Sequence, residues 1–483
     1  MAYAPPRFNR RAALVRRRRL MLAVAGLALA IGVIVAVTSG GGRPRLPLPG
    51  VGRPAKAGDP FAYVASRESD FESRAVAGSA HVLFTKSPGG VLATAARVAA
   101  LRPLINAATR STSIDPNMVE ALVFVESAGR NNVIAGTDAA DAAGITQILA
   151  QTGQSLLGMH IDLARSRKLT ASIDRAAGNG RPGQVARLQR QRAKIDDRFN
   201  ERLALVATVR YLRLAEQRFG RQDLAIESYH MGIGNLQNVL HDYDGGKPVP
   251  YVQLYFDTAP DHHTSAFKLL SGFGDESSLY YWRILGAAQI MRLYRTDRTV
   301  LTRLNSLQTS TDSAAAVLHP PDKTRPFPNP TALYDAYAKR TLLPLPANAT
   351  ELGLAYSRQI GSLAKSVGAA PAAYRGLRTD ALDMLIELGS RVRTLSGGAA
   401  PLLVDSAVTD GRYQGRLGVD DAAATSGYSF TIARRYVNRS QAVAFQAMLD
   451  RLQALNLIAW ERFTSVIEVT VASDAGHAIV DGP

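Results

Sequence analysis

Cysteine is absent from the 483 residues, which excludes a disulfide framework, a thiolate metal site and a lipid-modified cysteine. Acidic residues are outnumbered: 40 Asp and Glu against 57 Lys and Arg leave a formal charge of +17. Such a surplus favours an acidic partner: nucleic acid, anionic lipid or an anionic wall polymer. Much of it sits at the N-terminus, where Arg7, Arg10, Arg11, Arg16, Arg17, Arg18 and Arg19 cluster with no acid among them. Global charge is therefore weak support for nucleic-acid binding, and no nucleic-acid partner is expected. No internal repeat is visible. Hydrophobic content of 46% is ordinary for a globular chain and argues against global disorder. The length suits two or three domains, each with its own core.

Charge is also missing from residues 20–38, LMLAVAGLALAIGVIVAVT. At 1.5 Å per residue the run reaches about 29 Å, close to the hydrocarbon thickness of a bilayer. The preceding arginines hold residues 1–19 in the cytoplasm and send the rest of the chain across. A cleaved signal peptide is the rival reading, but its apolar region is usually shorter, about 7 to 15 residues. A retained single-pass anchor in the cell membrane is favoured.

Beyond the span the pattern predicts an α+β multidomain chain. Residues 39–90 open on Gly, Pro and Arg and read as a tether. Residues 91–311 read as mainly helical, with a basic helical insertion at 160–197 that turns near Gly178. Residues 312–346, rich in Pro, Ser and Thr, read as a linker. Residues 347–483 read as a smaller α+β domain. Helices are expected there near 351–365, 379–395 and 440–455, with strands at 402–408 and 466–472.

The most informative segment is 114–127, IDPNMVEALVFVES. Asp115 before Pro116 is a helix start, an N-cap acceptor followed by proline at the first helical position. Met118, Val119, Leu122 and Val123 form an apolar stripe that Glu126 continues, whereas Glu120 falls off it. A glutamate on a buried helix face is costly unless it is paired or protonated. The same environment raises a carboxyl pKa toward about 6 and makes it a usable general acid.

Three short motifs follow in order: Glu126-Ser127, then Gly144-Ile145-Thr146-Gln147, then Tyr229-His230-Met231-Gly232-Ile233-Gly234-Asn235. They resemble the Glu-Ser, Gly-Leu-Met-Gln and Ala-Tyr-Asn-Ala-Gly-x-Gly-Asn motifs of the soluble lytic transglycosylase family, over about residues 92–239. The helix expected at 200–219, with Tyr211-Leu212, is similar as well. The resemblance implies a lysozyme-like helical domain over 91–311 that cleaves peptidoglycan glycan strands without a cofactor. It makes Glu126 the catalytic residue, puts Gln147 in the substrate groove and has Tyr229 contact the catalytic carboxyl. Ser127, Thr146 and Asn235 become groove or supporting residues. Gly144, Gly232 and Gly234 would allow close backbone approach.

The sequence departs from the family at His230, where asparagine is usual, at Ser228 and Met231 in place of small alanines, and at Asp141. His230 either tunes Glu126 or is a hydrogen-bonded structural histidine. Ordinary glycosidases use two carboxyls. A single Glu126 suffices if the substrate supplies the nucleophile, as the resemblance implies, giving a 1,6-anhydro product. If Asp138 or Asp141 positions a water, the scaffold is a hydrolysing muramidase instead. A non-catalytic peptidoglycan-binding scaffold is a third reading.

Near the C-terminus, Thr425-Ser426-Gly427-Tyr428-Ser429-Phe430-Thr431-Ile432 and the segment around Glu468 are weakly similar to zinc D-Ala-D-Ala carboxypeptidases. The three metal positions hold Ala424, Thr431 and Glu468, and the base position Ser465, so a working zinc site is not expected. A degenerate peptidase-like domain and an unrelated α+β domain both remain open. The neighbouring His262 and His263 suggest metal, but adjacent side chains on a helix or strand point apart. No metal is assigned. The basic insertion lies either along anionic wall polymer or in solvent as a charged surface.

Overall fold

The computed structural model describes residues 46–50 and 59–480. The expected cytoplasmic segment 1–19 and span 20–38 lie outside the described residues. Among those described, no single helix is long and apolar enough to cross a membrane. The chain is α+β and mostly helical. The described residues form two units: one is Tyr63–Thr309, and the other joins residues 310–480 to residues 46–50 and 59–62.

The first unit begins with α1 (Glu68–Ser79) and α2 (His81–Thr85), inside the stretch read from sequence as tether. Phe71, Ala75, Val76 and Ser79 are buried at helical spacing, so this segment packs instead of trailing. The Gly/Pro-rich start of that stretch masked the later periodicity. α3 (Val91–Ala100) and α4 (Arg102–Thr109) lead to α5 (Pro116–Ser127). The start of α5 is as read: the Asp115 carboxylate accepts from the Asn117 amide, and Pro116 occupies the first turn. α5 ends at Ala128, whose backbone is left-handed.

After α6 (Ala150–Ser155), the insertion forms as a helical hairpin, α7 (Leu163–Gly178) and α8 (Pro182–Arg192). The chain continues through α9 (Glu201–Phe219), capped by Asn200, then α10 (Gln222–Met231) and α11 (Ile233–Asp244). Next come α12 (Tyr251–Phe256), α13 (Thr264–Ser278), α14 (Tyr280–Thr296) and α15 (Arg298–Gln308). α13 is bent at Gly274, where φ is 70°. α14 buries Tyr280, Trp282, Ile284, Ala287, Ile290 and Met291 and packs along α5, with α1 and α3 also against it. α5 is thus a central helix, enclosed on most sides from Val119 to Phe124.

In the second unit the stretch 312–346, read as linker, contains α16 (Ser313–Leu318) and α17 (Pro330–Ala338). Phe327, Leu333, Tyr334, Ala336 and Tyr337 from that stretch join the unit's core. Proline misled the reading: Pro330 opens a helix capped by Asn329 and does not break one. A short antiparallel pair joins β1 (Leu343–Pro344) to β3 (Gly376–Leu377). The main sheet has the order β2-β4-β5-β7-β6. Its strands are β2 (Leu354–Tyr356), β4 (Leu402–Ser406), β5 (Ser429–Ala433), β6 (Ile458–Arg462) and β7 (Val466–Val471). Only the β2–β4 pairing is parallel. α18 (Thr379–Leu395) and α21 (Arg439–Ala454) pack together, with α19 (Gly411–Leu417), α20 (Ala422–Ser426) and α22 (Ala475–Val480) completing the unit. No α-helix forms at 351–365, only a 3-10 turn that begins at its end, Ala364–Val367. Gly353 and Gly361 take φ of 71° and 77°, and Leu354–Tyr356 pairs as a strand instead. Asp59, inside the expected tether, ion-pairs with Arg391 and Arg451 of the same unit and anchors the chain here.

Candidate active site

Two glutamates on α5 have opposite surroundings. Glu120, expected off the buried stripe, is only 1% exposed and lies between Arg102 at 3.0 Å and Arg295 at 2.6 Å. The stripe reading failed because neighbours cover α5 nearly all round. Glu126, one residue before the last of the helix, is half-buried, and among the described residues no cation forms an ion pair with it. Its carboxyl is nonetheless packed round by protein, and that desolvation raises its pKa to about 7. The charge of Glu276 adds to the rise. The Tyr280 hydroxyl, donating to Glu126 Oε1 at 2.6 Å, opposes it.

The first two motifs are joined through Ser127. Its hydroxyl donates to the Ile145 carbonyl at 2.8 Å, tying the end of α5 to the 144–147 turn. That turn is tight. Gln147 sits at φ 51°, and its side-chain amide donates to the Gly144 carbonyl at 2.7 Å and the Val133 carbonyl at 3.2 Å. Gly144, at φ 81°, lies where a Cβ would come 1.8 Å from the Arg198 carbonyl oxygen. Only glycine fits there. Thr146 is fully buried, and its hydroxyl has no protein partner.

The third motif reaches the same place. The Tyr229 hydroxyl donates to the Thr146 carbonyl at 2.8 Å, not to Glu126 as the resemblance implied. Tyr229 and Glu126 are still close enough for the carboxylate charge to push the phenol upward, behind the larger effect of burial. Tyr211 steadies Tyr229 from the side, ring centroids 5.1 Å apart, and bonds the Ser228 carbonyl. His230 stacks on Tyr280 at 5.2 Å, with Nδ1 3.0 Å from Ser277 Oγ. Burial lowers its pKa, opposed by Glu276 and aided by Arg283. Asn235 is exposed, and its amide donates to the Met231 carbonyl across the α10–α11 joint. Gly232 needs its φ of 89°, but nothing lies within 4 Å of where a Cβ would stand on Gly234.

Tyr280, Glu276 and Glu227 were missed in sequence. Tyr280 stands in a Tyr-Tyr-Trp run that reads as core, and only the fold brings it 154 residues back to Glu126. Glu276 bonds Lys86 at 2.8 Å and Arg283 at 3.0 Å; burial alone would raise it, but those cations leave it lowered. Glu227 is buried beneath α14 and accepts from the Tyr281 amide at 2.9 Å. Desolvation raises it to about 8. Asp138 and Asp141, the earlier candidates for a second carboxyl, serve their loop. Asp138 is bound bidentately by Arg167, and Asp141 accepts from the Asp138 amide.

The insertion backs this arrangement. Arg198 and Asp196 form a fully buried pair at 2.7 Å, and Arg198 also donates to the Ala139 and Asp141 carbonyls. Arg192 is buried over the Phe199 ring at 3.6 Å, and desolvation lowers its pKa to about 10. The charge pattern had placed the insertion's arginines on a surface, along wall polymer or in solvent, and had not marked these two as buried.

In the second unit Thr431 and Glu468 are cross-strand partners on β5 and β7, and Thr431 Oγ1 lies 2.8 Å from Ser406 Oγ. Ala424 is buried on α20. An open pocket beside them is lined by Asp312, Asp421, Glu461, Glu468 and Thr470.

Comparisons of the chain with protein-family models, with curated proteins and with solved structures find no match.

Proposed function

We propose that the chain is a membrane-anchored lytic transglycosylase that cleaves the MurNAc–GlcNAc bond of peptidoglycan glycan strands and forms a 1,6-anhydro product. The observation that carries this reading is a desolvated carboxyl, Glu126, poised near neutrality without a cation and, unlike the fully buried Glu227, still partly open to solvent. A general acid is most effective with a pKa near the working pH. Protonated Glu126 gives its proton to the bridging oxygen as the glycosidic bond breaks, with the substrate's acetamido group assisting at the anomeric carbon. The carboxylate left behind takes the proton of the muramyl C6 hydroxyl as that oxygen closes on the same carbon. No water is consumed, and Glu126 ends protonated. Tyr280 acts as a positioning residue, fixing one carboxyl oxygen so that the other faces the bond. The lysozyme-like reading of the first unit rests on the three motifs meeting around one carboxyl. The anchor, with the catalytic unit outside the membrane, rests on residues 20–38 and the arginines before them. The exposed arginines of the insertion suit anionic wall polymers as a further partner.

A hydrolysing muramidase is the second reading. Its support is Glu276, a carboxylate near enough to raise Glu126 by its charge. Digestion of purified peptidoglycan by the full chain and by Glu126→Gln, with products weighed by mass spectrometry, tests all readings. The expected products are one water lighter than ordinary muropeptides, and Glu126→Gln is expected to lose about 10²–10⁴-fold in rate. Ordinary reducing ends would transfer the assignment to hydrolysis. No cleavage by the native chain would leave a non-catalytic wall-binding scaffold.

A further inference from the structure

Between α12 and α13, well apart in sequence from the three motifs, the chain makes a tight reverse turn. Ala259 and His262 exchange backbone hydrogen bonds of 2.8 and 3.2 Å, with Pro260 and Asp261 at the corner. Proline at this corner is preset for a turn. His263 follows at φ 46°, left-handed backbone that a side-chain-bearing residue rarely adopts. Adjacent side chains point apart only along a regular helix or strand. Here the turn and the left-handed residue bring both rings to one side, centroids 4.3 Å apart. The turn is neither helix nor strand, so adjacency in sequence does not hold the two rings apart.

Both rings face the same carboxylate. His262 Nε2 is 3.5 Å from Asp257 Oδ1, and His263 Nε2 is 3.6 Å from Asp257 Oδ2. A hydrogen bond between such groups would close to about 2.7–3.2 Å. Ligand atoms about 2.0–2.1 Å from one tetrahedral zinc ion stand roughly 3.4 Å from each other. Both separations are longer than a hydrogen bond and near a ligand-to-ligand edge, though to different carboxylate oxygens, and one ligand atom from each residue lies within 4.8 Å of the others. The carboxylate is also held from behind. The buried Tyr243 hydroxyl donates to Asp257 Oδ2 at 2.7 Å and accepts from the Gln253 side-chain amide at 3.0 Å. Tyr243 also packs against the His263 ring at 4.3 Å. Outer hydrogen bonds of this kind orient metal ligands and are costly to remove.

We propose that Asp257, His262 and His263 form a binding site for zinc or a similar divalent transition metal. Two imidazoles and one carboxylate are the donor set that suits such an ion. The exposure of His262 leaves the fourth position to solvent. None of the three residues bonds Glu126, and the proposal needs no assumption about glycan cleavage.

The test uses the full chain purified in detergent and stripped with chelator. Zinc is titrated calorimetrically, and cobalt(II) is followed by its visible d–d bands. One zinc per chain is expected, with tetrahedral cobalt bands. Affinity is expected to fall at least about tenfold in His262→Ala, His263→Ala and Asp257→Asn, and about 10–100-fold in Tyr243→Phe. His241→Ala, an exposed histidine outside the cluster, should leave binding unchanged. Zinc should raise the unfolding temperature of the native chain but not of His262→Ala, which loses only an exposed ring and so remains informative if other variants fail to fold. Absence of binding, or binding that survives all three ligand substitutions, would overturn the site.

Discussion

Two carboxyls six positions apart on α5 show how little residue type decides and how much partners do. Glu120 is more buried but has two arginines; Glu126 is less buried but has only a phenol donor. Desolvation therefore acts on Glu126 with little to oppose it, and its pKa rises to about 7. In the proposed reaction the acid must be protonated, so kcat/KM should fall as pH climbs through about 7. The Tyr280 hydroxyl favours the ionised form, so Tyr280→Phe should move that alkaline limb upward, on the order of one pH unit. It should also slow kcat about tenfold through lost orientation of the carboxyl. A pH–rate profile separates this from a merely structural role, which would lower the rate and leave the limb in place.

At the scale of elements, the glycines of the motifs divide by what surrounds them. Gly144 is pressed against the Arg198 backbone, while Gly234 faces open space. Gly144→Ala should destabilise the first unit by roughly 3 kcal/mol, because a carbonyl cannot swing aside as a side chain can. Gly234→Ala, inside the first turn of α11, should change stability by less than about 1 kcal/mol. Urea unfolding of the two variants checks the contrast, and equal effects would refute it. Local signals made α5, α9, α18, α21, β4 and β7 legible, since each carries its own cap or periodicity. Glu126, Ser127, Gln147 and Tyr229 were legible as motif residues. Their bonds were not: Tyr229 bonds the Thr146 carbonyl, and Tyr280 takes the place at Glu126. Such a pairing depends on α14 lying along α5, which no local pattern encodes. Composition misled where it stood in for pattern. Gly and Pro hid α1 and α17, and a high arginine count hid the buried Arg192 and Arg198.

For the whole molecule, the two units carry buried titratable groups of opposite sense. In the first, Glu126 and Glu227 have pKa values raised to about 7 and about 8. A raised carboxyl contributes stability that is complete below its unfolded value and lost as pH rises through the folded one. In the second unit, burial lowers His319, whose Nε2 meets the Val471 carbonyl at 2.6 Å and whose ring stacks on Tyr428 at 4.1 Å. A lowered histidine contributes stability present above its unfolded value and lost as pH falls below it. Two cores also mean that unfolding need not be one transition. Between about pH 6.5 and 8.5 these two glutamates should cost the first unit on the order of 3 kcal/mol of stability. Glu227→Gln should remove much of that slope. As pH rises toward about 6.5 the second unit should gain stability, a gain that His319→Gln should reduce. Calorimetric scans across this range, read beside the same scans on residues 63–309 alone, assign each transition. A single transition moving one way throughout would mean that these buried groups do not govern the response of the chain to pH.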